Sequence, residues 1–295
     1  MAEIAETFLK PRRQFKPGQI LTFIAYFFLT VWAFLCLFPL YWMIKNSFEP
    51  NKLIGLWPPA VLPNWGQLSF NNYLSLMRRF PLITWFLNNL VVAVVRTAGA
   101  VFFGSLAGYA FAKLHFFGRE VIFWILMPVL MVPGFILIIP QYQLISSLGW
   151  IDTYWALIVP GITGGVWAMF LMRQFMHTIP TELIESARMD GASEFLIFRA
   201  IVAPLALPGM AVLGIFEFIG NWNNFLYPLI VTTSKLMRTL PVGLSILVSP
   251  TDTGQVVPIG EVMAGAAIAA IPMIIVFLFF QRYFLKGITI GALKG

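Results

Sequence analysis

Charged residues are scarce in this chain. Only 11% of its 295 residues are Asp, Glu, Lys or Arg, and 59% are hydrophobic. An average soluble domain has about 25% charged residues, so this composition excludes a water-soluble fold. Apolar runs long enough for a helical membrane span, about 20 residues, recur without the alternation expected of β-barrel strands. The sequence therefore predicts an all-α, polytopic membrane protein.

Side chains that carry metal or redox chemistry are also rare. Cys36 is the only cysteine, which excludes an internal disulfide. His115 and His177 are the only histidines, and neither has a cysteine or carboxylate at ligand spacing. No metal site is expected. The chain has no cluster of His, Cys and carboxylates at catalytic spacing, so an intramembrane enzyme is not favoured.

Six apolar runs are long enough to cross a membrane. They cover about 20–44, 84–112, 120–142, 153–176, 207–232 and 261–285. The first run is too long for the apolar part of a secretory signal and no cleavage site follows it, so we expect an uncleaved span. Prolines interrupt the third and fourth runs, and Met131, Pro133, Gly164 and Gly165 there shape a gate or simply permit close helix packing.

The distribution of Lys and Arg predicts the orientation. If the N-terminus is cytoplasmic, twelve Lys and Arg residues lie on the cytoplasmic side of the membrane, with both termini included. Six lie on the opposite side. This bias places both termini and the 177–206 loop in the cytoplasm. The net charge of +7 is then explained by orientation, and no nucleic acid is expected as a partner. We expect a cytoplasmic segment at 1–19 and one membrane domain at 20–295.

The loop at 177–206 is unusually polar. Six charged residues fall between Glu182 and Arg199. Thr181 is predicted to cap a first helix, Gly191 to end it, and Ser193 to cap a second helix. Small residues dominate the middle of the loop, which suits close docking of another protein: Ser186, Ala187, Gly191, Ala192 and Ser193. The alternative is an amphipathic loop that lies on the lipid headgroups.

The motif E-x-A-x-x-D-G-A resembles the cytoplasmic EAA loop of ABC importer permeases. It comprises Glu185, Ala187, Asp190, Gly191 and Ala192, with Ser186 where the family usually has alanine. The stretches "NNLVVAVV", "LAGYAFAKLHFFGR" and "WNNFLYPLIV" resemble carbohydrate-importer permeases. The ending "QRYFLKGITIGALKG" is similar to the C-terminus of the maltose-type second permease subunit.

The resemblance implies a six-helix type I ABC importer permease in the bacterial inner membrane. It implies four kinds of partner besides lipid: a second permease subunit, two ATPase subunits, an extracytoplasmic binding protein and a sugar, expected to be an oligosaccharide. This chain has no phosphate-loop motif, G-x-x-x-x-G-K-[ST]. ATP and Mg are therefore expected on the ATPase subunits, and no cofactor is expected in this chain.

The resemblance also assigns roles to residues at the cytoplasmic side. The coupling residues that contact the ATPase are Glu185, Ser186, Ala187, Asp190, Gly191, Ala192, Phe198 and Pro204. The tail at 286–295 is implied to insert between the ATPase subunits through Gly291, Ala292, Lys294 and Gly295. The alternative for the tail is a frayed terminus.

Polar residues inside the apolar runs are candidates for a substrate pathway. The fifth run contributes Glu217, Asn221, Trp222, Asn223, Asn224 and Tyr227. Amides and aromatic rings suit a sugar, but asparagines can equally hold helices together at a subunit interface.

Arg96 is a permanent charge about 12 Å along the second span from Asn88, near the middle of the bilayer. We favour a structural role, in which Arg96 pairs with Glu217 or with an acid of the partner permease. The alternative is that Arg96 recognises an acidic, uronate-type sugar. A stand-alone secondary transporter is the alternative for the whole chain, although such proteins carry internal repeats that are not evident here.

Overall fold

A computed structural model describes the backbone of residues 17–248 and 256–292, and the side chains of residues 21–248 and 256–281. Its first half contains the long helices α1 (Pro17–Phe48) and α4 (Leu82–Lys113), with two short helices between them, α2 (Asn51–Ile54) and α3 (Asn71–Arg79). Two interrupted helices follow. One comprises α5 (Arg119–Leu126) and α6 (Ile138–Ser147), and the other α7 (Tyr154–Ile158) and α8 (Gly165–His177).

The second half begins with the polar loop, which contains α9 (Thr181–Met189) and α10 (Glu194–Ile197). The long helix α11 (Ala203–Trp222) follows, then α12 (Leu226–Val231) and α13 (Leu240–Ser245). The last helix is α14 (Ile259–Ala292). The described residues contain no strand, so the all-α prediction is confirmed.

Five helical segments of the described chain are long and apolar enough to span a membrane, and six if the bent α5–α6 segment is one span. The third predicted run therefore is not straight. Its two parts meet at 94°. Proline has no backbone N–H and fixes φ, and Pro133 lies at the bend together with Gly134. Gly134 and Phe135 at this bend help to line a cavity.

The fourth predicted run is also interrupted. A short 3₁₀ turn, Val159–Gly161, separates α7 from α8. Gly164 and Gly165 then both have left-handed backbone angles, with φ of 65° and 61°. Residues with a Cβ rarely adopt that conformation, so glycine at these positions permits the chain to resume a helix after the break.

Helices α4 and α8 approach so closely that glycine is required at the contact. A Cβ placed on Gly104 would lie 2.6 Å from the Cβ of Ala168, and one placed on Gly164 would lie 2.7 Å from the Cβ of Ala100. Spacing of small residues by four positions is the usual way in which membrane helices pack backbone to backbone. Of the two alternatives for Gly164, the structure supports close packing.

Hydrogen bonds join the loops at the end of the bundle remote from α9. The indole N–H of Trp85 donates to the carbonyl of Lys235 at 2.7 Å. Asn88 donates to the carbonyls of Leu236 and Arg238 at 2.6 and 3.0 Å, and accepts from the hydroxyl of Tyr154 at 2.6 Å. These bonds hold the long segment after α12 over the ends of α4 and α7.

Asp152 fixes a further loop at this same end. It has a left-handed backbone, with φ of 62°, and its carboxylate accepts the backbone N–H groups of Thr233 and Ser234 at 2.9 and 3.0 Å. Burial alone would raise the pKa of Asp152, but hydrogen bonds from Ser234 and Thr233 and the charge of Arg238 outweigh it and hold the pKa below its usual value.

The last helix is longer than the apolar run predicts. We expected a span at 261–285 and a separate tail from 286, but α14 continues to Ala292. Gly291 and Ala292 therefore belong to the helix, whereas Lys294 and Gly295 lie outside the described residues. The expected contact of the tail with the ATPase stays a prediction. The cytoplasmic location of the segment at 1–19 also stays a prediction, and residues 1–16 lie outside the described residues.

The α4–α8 contact predicts that a single methyl group at Gly104 destabilises the bundle. Gly104→Ala should lower the free energy of unfolding by about 1–3 kcal/mol, the usual cost of overpacking. Gly220→Ala is the matched control, because a Cβ at this helical glycine would meet no atom within 4 Å. The control should be neutral or slightly stabilising. Equal thermal unfolding of the two variants in detergent would contradict the proposed packing.

The low pKa of Asp152 predicts an acid-sensitive contribution to stability. A lowered folded-state pKa gives stabilisation that is present above the unfolded value, about 4, and is lost as pH falls through the folded value. Asn tolerates a positive φ and keeps an oxygen for both N–H groups. Asp152→Asn should therefore fold at pH 7 and lose less thermal stability than the wild type between pH 5 and 3. An identical loss in both proteins would refute the role of the carboxylate.

Candidate functional site

The polar loop folds as helix, glycine turn and helix, as predicted. Gly191 ends α9 with φ of 80°, and the next N–H, that of Ala192, donates to the carbonyl of Ala187 at 3.0 Å. Ser193 caps α10 by accepting the N–H of Leu196 at 3.4 Å. One π-helical turn, Phe198–Val202, then leads into α11. Such turns are rare and occur often at functional positions.

The prediction that Thr181 caps α9 is wrong. The residue before the helix is Pro180, and Thr181 is the first helical residue. Its hydroxyl instead accepts a hydrogen bond from the Lys113 ammonium at 3.2 Å. Lys113 also donates to the carbonyls of Ile179 and, at 3.5 Å, of His177. A cation suits these free carbonyls after the end of α8, and it attaches the loop to the end of α4.

A second network attaches the other half of the loop to α4. The hydroxyl of Tyr109 donates to Glu194 at 2.7 Å, and the guanidinium of Arg188 donates to the other oxygen of the same carboxylate at 2.6 Å. The hydrogen bond to Glu194 raises the pKa of Arg188. Because Arg188 lies in α9 and Glu194 in α10, this network fixes the two helices relative to each other and to α4.

The predicted coupling residues are not all on the surface. Five are exposed: Glu185, Ser186, Asp190, Gly191 and Pro204. Ala187 and Ala192 are half-buried and pack against the core beneath the loop. Phe198 is only 7% exposed, and its ring lies 5.6 Å from that of Tyr109. Phe198 therefore supports the loop from below and is not a surface contact.

The exposed apolar side chains of the loop are larger than the sequence analysis expected. Leu183, Met189, Phe195 and Leu196 are 46%, 83%, 60% and 52% exposed. They flank the exposed acids Glu185 and Asp190 and the glycine turn. The sequence led us to expect docking contacts from Leu183, Ala187 and Ala192. Leu183 is exposed as expected, but the two alanines are turned partly inward, and Met189, Phe195 and Leu196 are exposed as well.

A partly open cavity lies beside the bend between α5 and α6. Its volume is about 330 Å³, and its lining is Arg96, Gly134, Phe135, Ile138, Gln141, Asn224, Leu226 and Tyr227. Three predicted pathway residues, Arg96, Asn224 and Tyr227, thus come together. Gln141 was missed by the sequence analysis, although its place in an apolar run next to Pro140 could have indicated it.

Arg96 does not form the ion pair with Glu217 that the sequence suggests, and pairing with an acid of a second permease stays a prediction. Within the part of the chain that the structure describes it forms no ion pair, although Glu217 is near enough to act on its charge. The Glu217 carboxylate accepts instead from Asn221 at 3.4 Å. Arg96 donates from Nη1 to the carbonyl of Leu157 at 3.3 Å, and its Nε has no partner.

Four other predicted pathway residues, including Glu217, do not line the cavity. Trp222 is buried in the core, stacks on Phe218 at 5.8 Å, and donates to the carbonyl of Ala269 at 3.1 Å. Asn221 is buried beside Glu217, and Asn223 is exposed outside the cavity. Polarity in a membrane helix does not by itself distinguish a residue that faces a cavity from one that packs in the core.

The fold is that of a multi-pass membrane transport component, with a polar loop at one end and a partly polar cavity between the spans. Residues 100–290 match the family described as binding-protein-dependent transport system inner membrane component. The chain belongs to this family of ABC importer permeases, which confirms the resemblance found in the sequence.

Curated relatives are similar over nearly the whole chain. The arabinooligosaccharides transport system permease protein AraQ of Bacillus subtilis is 38% identical over 91% of this chain and 94% of its own. The trehalose/maltose transport system permease protein MalG of Thermococcus litoralis is 32% identical over 89% of this chain and 93% of its own. The sn-glycerol-3-phosphate transport system permease protein UgpE of Agrobacterium fabrum is 34% identical over 90% and 95%.

A solved structure has the same fold. A chain of a bacterial ABC transporter involved in the import of the acidic polysaccharide alginate superposes with a TM-score of 0.81, covering 92% of this chain and 100% of its own. The two sequences are 21% identical, so the similarity concerns the fold alone.

The network around Glu194 predicts that one hydroxyl group controls the rigidity of the polar loop. Tyr109→Phe keeps the ring against Phe198 and removes the bond to Glu194. Loss of a hydrogen bond to a charged, partly exposed group should make amide exchange in residues 194–198 about five- to tenfold faster. Tyr142→Phe is the control, because Tyr142 is exposed and its hydroxyl has no described partner. Unchanged exchange in Tyr109→Phe would show that packing alone holds the loop.

Proposed function

We propose that this chain is a permease subunit of an ATP-driven importer for an oligosaccharide. In this proposal it forms the pathway with a second, homologous permease, receives the sugar from an extracytoplasmic binding protein, and is driven by two ATPase subunits. Support comes from its family and from relatives named for arabinooligosaccharides, trehalose and maltose transport. The observation that carries the proposal is the exposed helix–glycine turn–helix of the polar loop.

In the proposed orientation both termini and the polar loop face the cytoplasm. The excess of Lys and Arg in the segments at that end favours this orientation. The turn after α4 lies at the same end, because Lys113 contacts the carbonyl of Ile179 and the hydroxyl of Thr181. The loops joined by Asn88 and Asp152 then face the binding protein.

The ATPase would bind the exposed surface of α9 and α10. Exposed ion pairs contribute only about 0–1 kcal/mol each, so Glu185 and Asp190 would give orientation more than affinity. Burial of the apolar side chains Leu183, Met189 and Phe195 would supply most of the attraction, at about 25 cal/mol per Å² of apolar surface. ATP and Mg would be bound by the ATPase subunits, and this chain would hydrolyse nothing itself.

Movement of the ATPase would reach the membrane through α4. The Lys113 and Tyr109 contacts hold the polar loop to the end of this helix, and Arg96 on the same helix lines the cavity. We also propose that Gly291 and Ala292 at the end of α14, with Lys294 and Gly295 beyond the described residues, contact the ATPase subunits.

The proposal predicts that added bulk at Gly191 weakens ATPase binding without unfolding the chain. Asn tolerates a positive φ, and a Cβ at Gly191 would meet no atom of the described residues within 4 Å. Gly191→Asn should therefore fold yet co-purify with less ATPase, which is the readout compared with the control. It should also show at least tenfold lower sugar-stimulated ATP hydrolysis and less uptake in vesicles.

Gly149→Asn is the matched control. Gly149 also has a positive φ, of 67°, and open space around it, but it lies at the opposite end of the bundle. It should co-purify with the ATPase as the wild type does. Normal ATPase assembly in Gly191→Asn, or a purified chain that brings down no ATPase and no second permease, would refute the proposed function.

A further inference from the structure

The cavity beside the α5–α6 bend has a polar wall assembled from distant parts of the chain. Arg96 comes from α4, Gln141 from α6, Asn224 from the turn before α12, and Tyr227 from α12. Phe135 and Leu226 supply apolar surface. A mainly apolar cavity with a few convergent polar groups is typical of a ligand site, and about 330 Å³ lies at the small end of the usual range of 300–1,000 Å³.

The charge of Arg96 is incompletely balanced within the described chain. A guanidinium has five N–H donors and no acceptor, yet the described contacts of Arg96 comprise one hydrogen bond, to the carbonyl of Leu157. Its buried Nε has no partner. Glu217 acts on it from beyond ion-pair distance and is itself bound by Asn221. Donors of Arg96 therefore remain for a ligand.

The break between α7 and α8 positions the guanidinium. A Cβ on Gly161 would overlap the terminal guanidinium atoms of Arg96, so the arginine head occupies space that only glycine leaves. On the other side, the free carbonyl of Leu157 accepts its one hydrogen bond. A fixed planar cation with free donors suits a planar anion, and the bidentate pairing of arginine with carboxylate is the strongest such contact.

We infer that this cavity binds the carboxylate of an acidic saccharide, a uronate, through Arg96. Gln141 and Asn224 bind hydroxyl groups of the same sugar residue, and the rings of Phe135 and Tyr227 contact its C–H faces. The Tyr227 hydroxyl already donates to the carbonyl of Ala156 at 2.8 Å, so towards the sugar it can only accept. This inference rests on the proposed function and specifies its substrate class.

The test compares two probes that differ in charge and in one methyl group on each carboxyl. Trigalacturonate and its fully methyl-esterified form are titrated onto the assembled complex of both permeases and both ATPases in detergent, without binding protein, by calorimetry. The wild type should bind the free acid at least tenfold more tightly than the ester. Arg96→Gln should weaken binding of the acid about ten- to hundredfold, the effect of removing a hydrogen bond to a charged group, and leave the ester unchanged.

Two further variants separate recognition from folding. Gly161→Ala retains Arg96 but displaces its guanidinium, and it should also lower the preference for the acid. Arg78→Gln removes the same charge from an exposed position in α3 and should leave both affinities unchanged. Assembly with the ATPase is measured for every variant, so the proposed function is tested separately.

Four results would overturn the inference. The wild-type complex could assemble and hydrolyse ATP yet bind neither probe, or bind the ester as tightly as the acid. Arg96→Gln could weaken both probes equally, which would indicate a structural role. Loss of the second permease from the Arg96→Gln complex, with acid binding intact in Gly161→Ala, would show that Arg96 pairs with an acid of the partner subunit.

Discussion

The contact between α4 and the interrupted pair α7–α8 is the feature on which both candidate sites depend. It extends along most of α4, from the hydrogen bond between Asn88 and Tyr154 to that between Lys113 and the carbonyl of His177, the last residue of α8. Between these ends the backbones approach so closely that Gly104 cannot carry a Cβ without displacing Ala168. In a bilayer, where lipid is as apolar as the side chains, such close packing replaces the hydrophobic effect as the force between helices.

The same contact connects the polar loop with the cavity. Tyr109 and Arg96 lie on one helix about 20 Å apart, at 1.5 Å per residue, and each holds a different part of the segment that contains α7 to α10. A continuous helix transmits displacement better than a flexible loop does. In the proposed importer, α4 would therefore transmit movement of the loop to Arg96. The π-helical turn at Phe198–Val202 would allow α11 to bend relative to α10.

Composition and pattern were enough to predict the spans, the helix–turn–helix form of the loop and its family. Those features depend on local hydrophobicity and on the conformational freedom of single residues such as Gly191. The orientation of each side chain was not predictable in the same way. Ala187 and Phe198 were expected on the docking surface but pack inward, and Trp222 belongs to the core and not to the cavity. The orientation of each of these side chains depends on which neighbouring helix covers it. A single sequence does not contain that information.

The treatment of other buried charges shows why Arg96 is distinctive. Lys45 and Glu49, both buried, pair at 2.8 Å. Glu261 is buried and pairs with Arg79 at 3.1 Å. The charge of Lys113 is stabilised by hydrogen bonds to carbonyls at and just after the end of α8. All these groups lie near the ends of the bundle, where water or headgroups lower the cost of charge. Arg96 lies in the middle, where an incompletely paired cation is most costly, and it faces a cavity. We explain the free-energy cost of this charge by a ligand whose own charge compensates that of Arg96.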